Sequence, residues 1–121
     1  MTQYVVLIPG DEAVWAAASD EQRAAMYQRH AEFAQLLAER GHKVTGGAEL
    51  SHSSGAKVVR RSGESLTVTD GPYAETTEQL TGFYVVESED LDDLLQVVGH
   101  LAGAEDALEV RACVDHSGSA G

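Results

Sequence analysis

Twice along this chain, a segment with helical spacing of apolar residues stands between two runs rich in β-branched residues. A hairpin pattern separates the two units. The order strand-helix-strand, hairpin, strand-helix-strand leaves few topologies. A helix joining two parallel strands must lie on one face of their sheet, and two such units can interleave their strands. The expected fold class is therefore α+β, a ferredoxin-like sandwich with two helices on one sheet face. The opposite face would carry side chains such as Tyr4, Val6 and Tyr84, or their alternates. A chain this small should bury that face against a second copy, so a homodimer with facing sheets is expected.

The individual elements rest on local signals. Residues 4–8, Tyr-Val-Val-Leu-Ile, read as a central strand ended by Pro9-Gly10. A short helical turn fits within residues 11–18, with Trp15 packing over the sheet end. Ser19-Asp20-Glu21-Gln22 has the spacing of a capping box and opens a long helix. Its apolar stripe is Met26, His30, Phe33 and Leu37, flanked by Ala34, while Arg23, Gln28, Glu32 and Glu39 face water. Gly41 closes it. Beyond Lys43 the period changes, and Gly46-Gly47 marks a bulge or close backbone approach in a second strand. Residues 57–60 and 66–69 flank Ser62-Gly63-Glu64 as a hairpin. Residues 82–86 form another strand. Asp90 caps a second helix whose inner face is Leu91, Leu94, Leu95, Val98 and Leu101. Asp92 and Asp93 in its first turn complement the helix dipole. Residues 108–114 complete the sheet. The domain is expected over residues 1–115, with 116–121 as a flexible tail.

Composition limits the partners. The chain has 121 residues, 43% of them hydrophobic, enough for one domain with its own core. Eight basic against 20 acidic residues give a net charge of −12, which repels phosphate backbones and anionic lipid surfaces. Direct nucleic-acid or membrane binding is therefore not expected. No apolar run reaches the roughly 20 residues of a membrane span. No basic-then-apolar leader precedes the first strand, so a cytoplasmic location is expected. The single Cys113, near Val110 and Val114, reads as a buried thiol. Lys57, Arg60 and Arg61 cluster on the hairpin, where charge discourages edge-to-edge pairing.

The loop Asp70-Gly71-Pro72-Tyr73-Ala74-Glu75 is more elaborate than a reversal of chain direction needs. Pro72 fixes one φ angle, removes a backbone donor and forces Gly71 toward extended geometry. The result should be a stiff loop that presents Asp70 and Glu75 at a set spacing. The longer run DGPYAETTEQLTGFYVVE closely resembles the signature of the DGPF group of YCII-related proteins. The similarity extends to YVVLIPGDEAVWAA, Arg29-His30, Gly46-Gly47-Ala48-Glu49-Leu50 and Glu109-Val110-Arg111, and so covers nearly the whole chain. It implies a dimeric α+β barrel. Some proteins of the group it resembles are associated with sigma factors; related YCII-type proteins include a lyase-like dehydrochlorinase and have been proposed to use a His–Asp pair in a cleft. Tyr73 departs from the usual phenylalanine, and Thr77 and Thr81 stand where lysine and glycine are common.

His30 is the leading catalytic candidate, because a partly desolvated imidazole can exchange a proton near neutral pH and the resemblance places the family histidine here. A histidine on an apolar face also serves as a satisfied structural group. Asp70 is the expected orienting partner, since Glu32, two residues away on the helix, points elsewhere. Its competing role is a turn residue bonded to its own backbone. Trp15, Gly71, Pro72, Tyr73 and Glu75 complete the expected ligand contacts, with one of Glu75 and Glu78 able to cap a helical turn at residues 76–80. Neither a cofactor nor a metal is expected. The other histidines lack ligand spacing, and no nucleotide or serine-hydrolase motif occurs. The expected function is cofactor-free acid–base chemistry on a small molecule. The alternative is a non-catalytic regulatory module that meets a sigma factor or another regulatory protein.

Overall fold

The computed structural model describes residues 1–103 and 106–116. Of the expected C-terminal tail, residues 117–121 lie outside that description. The order of elements is β1 (Thr2–Asp11), α1 (Glu12–Ala16), α2 (Asp20–Glu39), β2 (Lys43–Glu49), a 3₁₀ turn (Ser53–Gly55), β3 (Lys57–Ser62), β4 (Ser65–Asp70), β5 (Glu78–Ser88), α3 (Leu91–Gly99) and β6 (Glu109–Ala112). Four strands form one antiparallel sheet in the order β2-β5-β1-β6, and β3 and β4 form a separate two-stranded hairpin. β1 and β2 run parallel with β5 between them, and β5 and β6 run parallel with β1 between them. This is the interleaved βαβ pair of a ferredoxin-like α+β sandwich. Among the described residues, no helix is long and apolar enough to cross a membrane.

Local chemistry sets the helix ends. Ser19 accepts from the Gln22 N–H at 3.1 Å, and the Gln22 side chain accepts from the Ser19 N–H at 2.8 Å, so the capping box is complete. At the other end Gly41 takes φ +82°. The His42 N–H reaches the Leu37 carbonyl and the Gly41 N–H the Ala38 carbonyl, which is the Schellman arrangement. Asp90 caps α3 through the Asp93 N–H.

Period-two alternation assigns the sheet faces. Val6 stands opposite Tyr84, and Tyr4 opposite Val86. These point toward α2 and α3, where Val6, Phe33, Leu37, Val86, Leu94, Val97, Val98 and Leu101 make the core. The alternates Val5, Leu7, Phe83 and Val85 occupy the opposite face. Two irregularities bend the sheet. Thr81 is the extra residue where the β1–β5 register shifts, and its hydroxyl donates to the Ile8 carbonyl at 2.9 Å. Thr45 is extra between β2 and β5. Two residues further on, Gly47 takes φ +147°, and a Cβ there would stand 2.6 Å from the Phe83 carbonyl oxygen. No other residue fits that crossing.

Four readings of the helices and strands are corrected. The inner face of α3 is Leu94, Val97, Val98 and Leu101, whereas Leu91 and Leu95 are exposed. The helix is rotated so that β-branched Val97 faces the sheet. Ala34 is also exposed, and half-buried Leu36 flanks the α2 stripe instead. No helical turn forms at residues 76–80, because β5 already begins at Glu78 and pairs with Asp11. The basic Arg23 is not a simple solvent-facing group. It folds back on α1, donating to the Trp15 carbonyl at 3.0 Å with its guanidinium over the indole.

A polar node ties the two helices together. The buried His42 ring lies 2.8 Å from Ser88 Oγ through Nδ1 and 2.8 Å from Asp93 through Nε2. Arg40 also pairs with Asp93. The hydrogen bond from His42, followed by that from Arg40, holds the Asp93 carboxyl below the ordinary carboxylate range.

Leu94→Ala is expected to destabilise the fold by about 2–5 kcal/mol in urea unfolding, against at most about 1 kcal/mol for Leu95→Ala. Equal losses would contradict the observed rotation of α3. Asp93 adds a pH signature. On acidification the unfolded chain takes up its proton near pH ~4, before the folded chain does. The stabilisation is therefore whole above that pH and is lost as pH falls through the lower folded value. Asp93→Asn should depress Tm at pH 7, and the gap to the wild type should close in thermal melts carried down through that acidic window.

Candidate functional site

The long helix and the central strand meet at His30. Four residues beyond Met26 and three before Phe33, His30 lies on the inward stripe of α2 but one turn short of the fully buried residues. Tyr84 projects from the same face of β5. Its Oη lies 2.7 Å from His30 Nδ1, and the two rings are nearly parallel, 26° apart, with centroids separated by 5.8 Å. Phe33 closes the other side of Tyr84, ring centroids 5.2 Å apart. His30 Nε2 has no hydrogen-bond partner among the described residues and is not sealed from solvent.

The surroundings set the proton affinity of this pair. Burial lowers the His30 pKa below its ordinary value; Glu49 pulls the other way, and Arg29 adds slightly to the depression. Burial raises the Tyr84 pKa, so its phenol stays protonated across the physiological range. Glu49, at the end of β2, accepts from the Tyr27 hydroxyl at 3.1 and 3.2 Å. That bond raises the pKa of Tyr27. Tyr27 in turn meets the edge of Trp15, with ring planes perpendicular and centroids 5.7 Å apart. Two short runs of contacts thus stand in this region, His30 with Tyr84 and Trp15 with Tyr27 and Glu49, and the Glu49 charge acts on the His30 ring.

The second expected feature, the 70–75 loop, builds a different surface. Gly71 is buried with φ +106°, a left-handed conformation rather than the extended one expected before proline. Its N–H donates to the Ala56 carbonyl at 2.8 Å, fastening the loop across the base of the hairpin. The Asp70 carboxylate pairs with Lys57 on the facing strand and is 77% exposed. His30 therefore bonds to Tyr84 and Asp70 to Lys57; no hydrogen bond joins His30 to Asp70 among the described residues. Glu75 lies over Gly71, its carboxylate oxygen 3.5 Å from where a Cβ would stand.

Pro72 and Tyr73 line an open cavity of about 340 Å³ together with Leu50, Ser51, His52, Ser53, Ala56, Gln79 and Leu80. Its far wall is anchored by Glu12 of α1, which accepts from the Ser53 N–H at 2.7 Å and from the Ser53 hydroxyl. Those hydrogen bonds lower the Glu12 pKa, and His52 Nε2 stands 3.8 Å away. The structure thus divides the expected contacts. Trp15 packs against Tyr27 and Arg23, while Pro72 and Tyr73 face the 50–56 segment. Among the described residues no cluster of three or more histidine, cysteine or carboxylate side chains is placed to hold a metal.

This arrangement accompanies a family assignment. The model of the YCII-related domain matches residues 2–115. The chain belongs to the YCII-related family. It is also 35% identical over 101 residues to an uncharacterized protein of Rhizobium meliloti (strain 1021), covering 84% of this chain and 81% of that one.

Sequence reasoning on this YCII-related domain missed Tyr84, Glu49 and Tyr27. Tyr27 carries a readable signal, three residues before His30 on the same helical side. Tyr84 and Glu49 depend on strand register, which a single sequence leaves open. Glu49→Gln should move the His30 titration further down in pH, because it removes a charge that favours the imidazolium. Histidine ring signals followed by NMR from pH 4 to 8 would show this; an upward or absent shift would mean that Glu49 does not act on the ring.

Proposed function

We propose that this YCII-related domain carries a small-molecule site at His30 and works as a cofactor-free acid–base catalyst of proton transfer, elimination or isomerisation. The observation behind this reading is the 2.7 Å contact of Tyr84 with Nδ1, which leaves Nε2 unengaged at a partly desolvated ring. A ring kept neutral at pH 7 exchanges a proton through Nε2, the geometry general acid–base catalysis requires. In this reading Tyr84 takes the orienting role that the sequence suggested for Asp70. A tyrosine hydroxyl both donates and accepts, so it holds the ring in place whichever nitrogen carries the proton. Asp70, with Lys57, braces the loop, and Trp15, Gly71, Pro72, Tyr73 and Glu75 shape the ligand surfaces on either side of α1.

The same reading includes a homodimer of the α+β barrel type. Val5, Leu7, Phe83 and Val85 lie on the sheet face turned away from the core. Stacking that face on its copy would remove a contiguous apolar surface from water.

Deuterium wash-in provides the catalytic test, with a panel of small 2-oxo acids and β-keto esters in D₂O followed by proton NMR. The wild type should accelerate exchange of the acidic C–H. His30→Ala should lose about 100-fold or more of that rate and Tyr84→Phe about 10-fold, both with unchanged circular dichroism. Exchange equal to the wild type in His30→Ala would end the catalytic reading, as would no acceleration by the wild type across the panel.

A further inference from the structure

The hairpin of β3 and β4 is the part of the molecule that its own fold does least to explain. It shares no ladder with the main sheet. Every residue in both strands except Val58 is exposed. A two-stranded ribbon is marginal by itself in water and ordinarily needs a surface to pack on.

Its register sorts the side chains into two unlike faces. Val59 pairs with Val68, Arg61 with Leu66 and Lys57 with Asp70, so these six share one face. Val59, Leu66 and Val68 are 59%, 59% and 55% exposed, a contiguous apolar stripe standing in water. Val58, Arg60, Thr67 and Thr69 lie on the other face, which is otherwise polar. The gatekeeper charges therefore sit at the rim of the stripe and do not interrupt it.

Charge identifies what covers it. Residues 57–70 hold three basic and two acidic side chains, a net +1, so the rest of the chain carries −13. Three of the eight basic residues thus lie on one exposed ribbon. Lys57 is paired with Asp70, while Arg60 and Arg61 have no ion-pair partner among the described residues. An apolar, basic arm on a strongly acidic body complements a second copy of that body, and each copy offers both halves of the contact.

We infer that the β3–β4 hairpin is a dimerisation arm that lays its Val59–Leu66–Val68 face on the acidic body of a second copy of this chain. This rests on the homodimer reading above and extends it, because the contact lies outside the sheet faces. Gly71, Pro72 and Tyr73 follow directly on β4, so arm docking also fixes where that loop stands relative to the second copy. Tyr73, 87% exposed in the protomer, lies at the base of the arm.

Sedimentation equilibrium of the full chain, its Val59→Ser/Val68→Ser variant and its Phe83→Glu variant tests this, together with hydrogen exchange at several protein concentrations. Every substituted site except Phe83 lies in water, so unchanged circular dichroism is expected for the hairpin variant. That variant should raise the dimer Kd at least about tenfold, and Arg60→Ser/Arg61→Ser should weaken the salt dependence of association. Amides of residues 57–70 should gain protection as concentration rises through Kd. Hairpin amides that exchange equally fast at all concentrations would overturn the arm. So would a Kd within about twofold of wild type in the hairpin variant. If Phe83→Glu alone dissociates the dimer, the sheet-face reading stands and the arm fails. If the hairpin variant alone does so, the arm stands without the sheet face. A wild type that stays monomeric at about 0.1 mM overturns both.

Discussion

The pairing of β1 with β5 in a single register underlies nearly everything else in this domain. With Val6 opposite Tyr84, one face of two central strands supplies Tyr4, Val6, Ile8, Tyr84 and Val86 to the helices. A slip by one residue would exchange that set for Val5, Leu7, Phe83 and Val85. The core would stay apolar, but no hydroxyl would stand opposite His30. The constraint that makes a well-packed sandwich is thus the same one that places a tyrosine at the histidine. The bulge at Thr81 confines the register change to the strand end, beyond the core, and Thr81 Oγ1 bonds across it to the Ile8 carbonyl.

What was legible in the sequence was mostly local. The Ser19–Gln22 box, the Asp90 cap, the Gly41 turn and the Gly63 hairpin each draw on interactions spanning a few residues, and each forms as read. The order of elements was enough to give the ferredoxin-like topology. The misreadings involve rotations and registers fixed by distant partners. Leu91 and Leu95 are as apolar as Leu94, and only the position of α3 on the sheet decides that Val97 is buried in their place. His30 was recognisable from its stripe, but its partner was not. Tyr84 lies 54 residues away and shows itself only once β5 is set beside β1. Asp70 looked available because nothing in the sequence showed Lys57 directly across the ribbon.

The identity of that partner changes the chemistry in a definite direction. A carboxylate beside the ring would favour the imidazolium and raise its pKa. A neutral phenol does not repay the lost hydration of a charged ring, so burial dominates and the pKa falls. A histidine tuned in this way is a weaker base than one in a carboxylate dyad, but it is in its neutral form at physiological pH. Glu49, held to Tyr27, moderates the effect.

The node at His42 has a consequence for how the molecule comes apart. One imidazole joins the last turn of α2 to the end of β5 through Ser88 and to the first turn of α3 through Asp93. Ser88 also bonds both the N–H and the carbonyl of Asp90 at the helix cap. Fraying of any one of these three termini would strand buried polar groups belonging to the other two, at the full cost of an unmade hydrogen bond. The ends that normally open first are thereby made to open together. The two βαβ halves should consequently behave as one cooperative unit, with slow amide exchange reaching the helix boundaries and not stopping at the core.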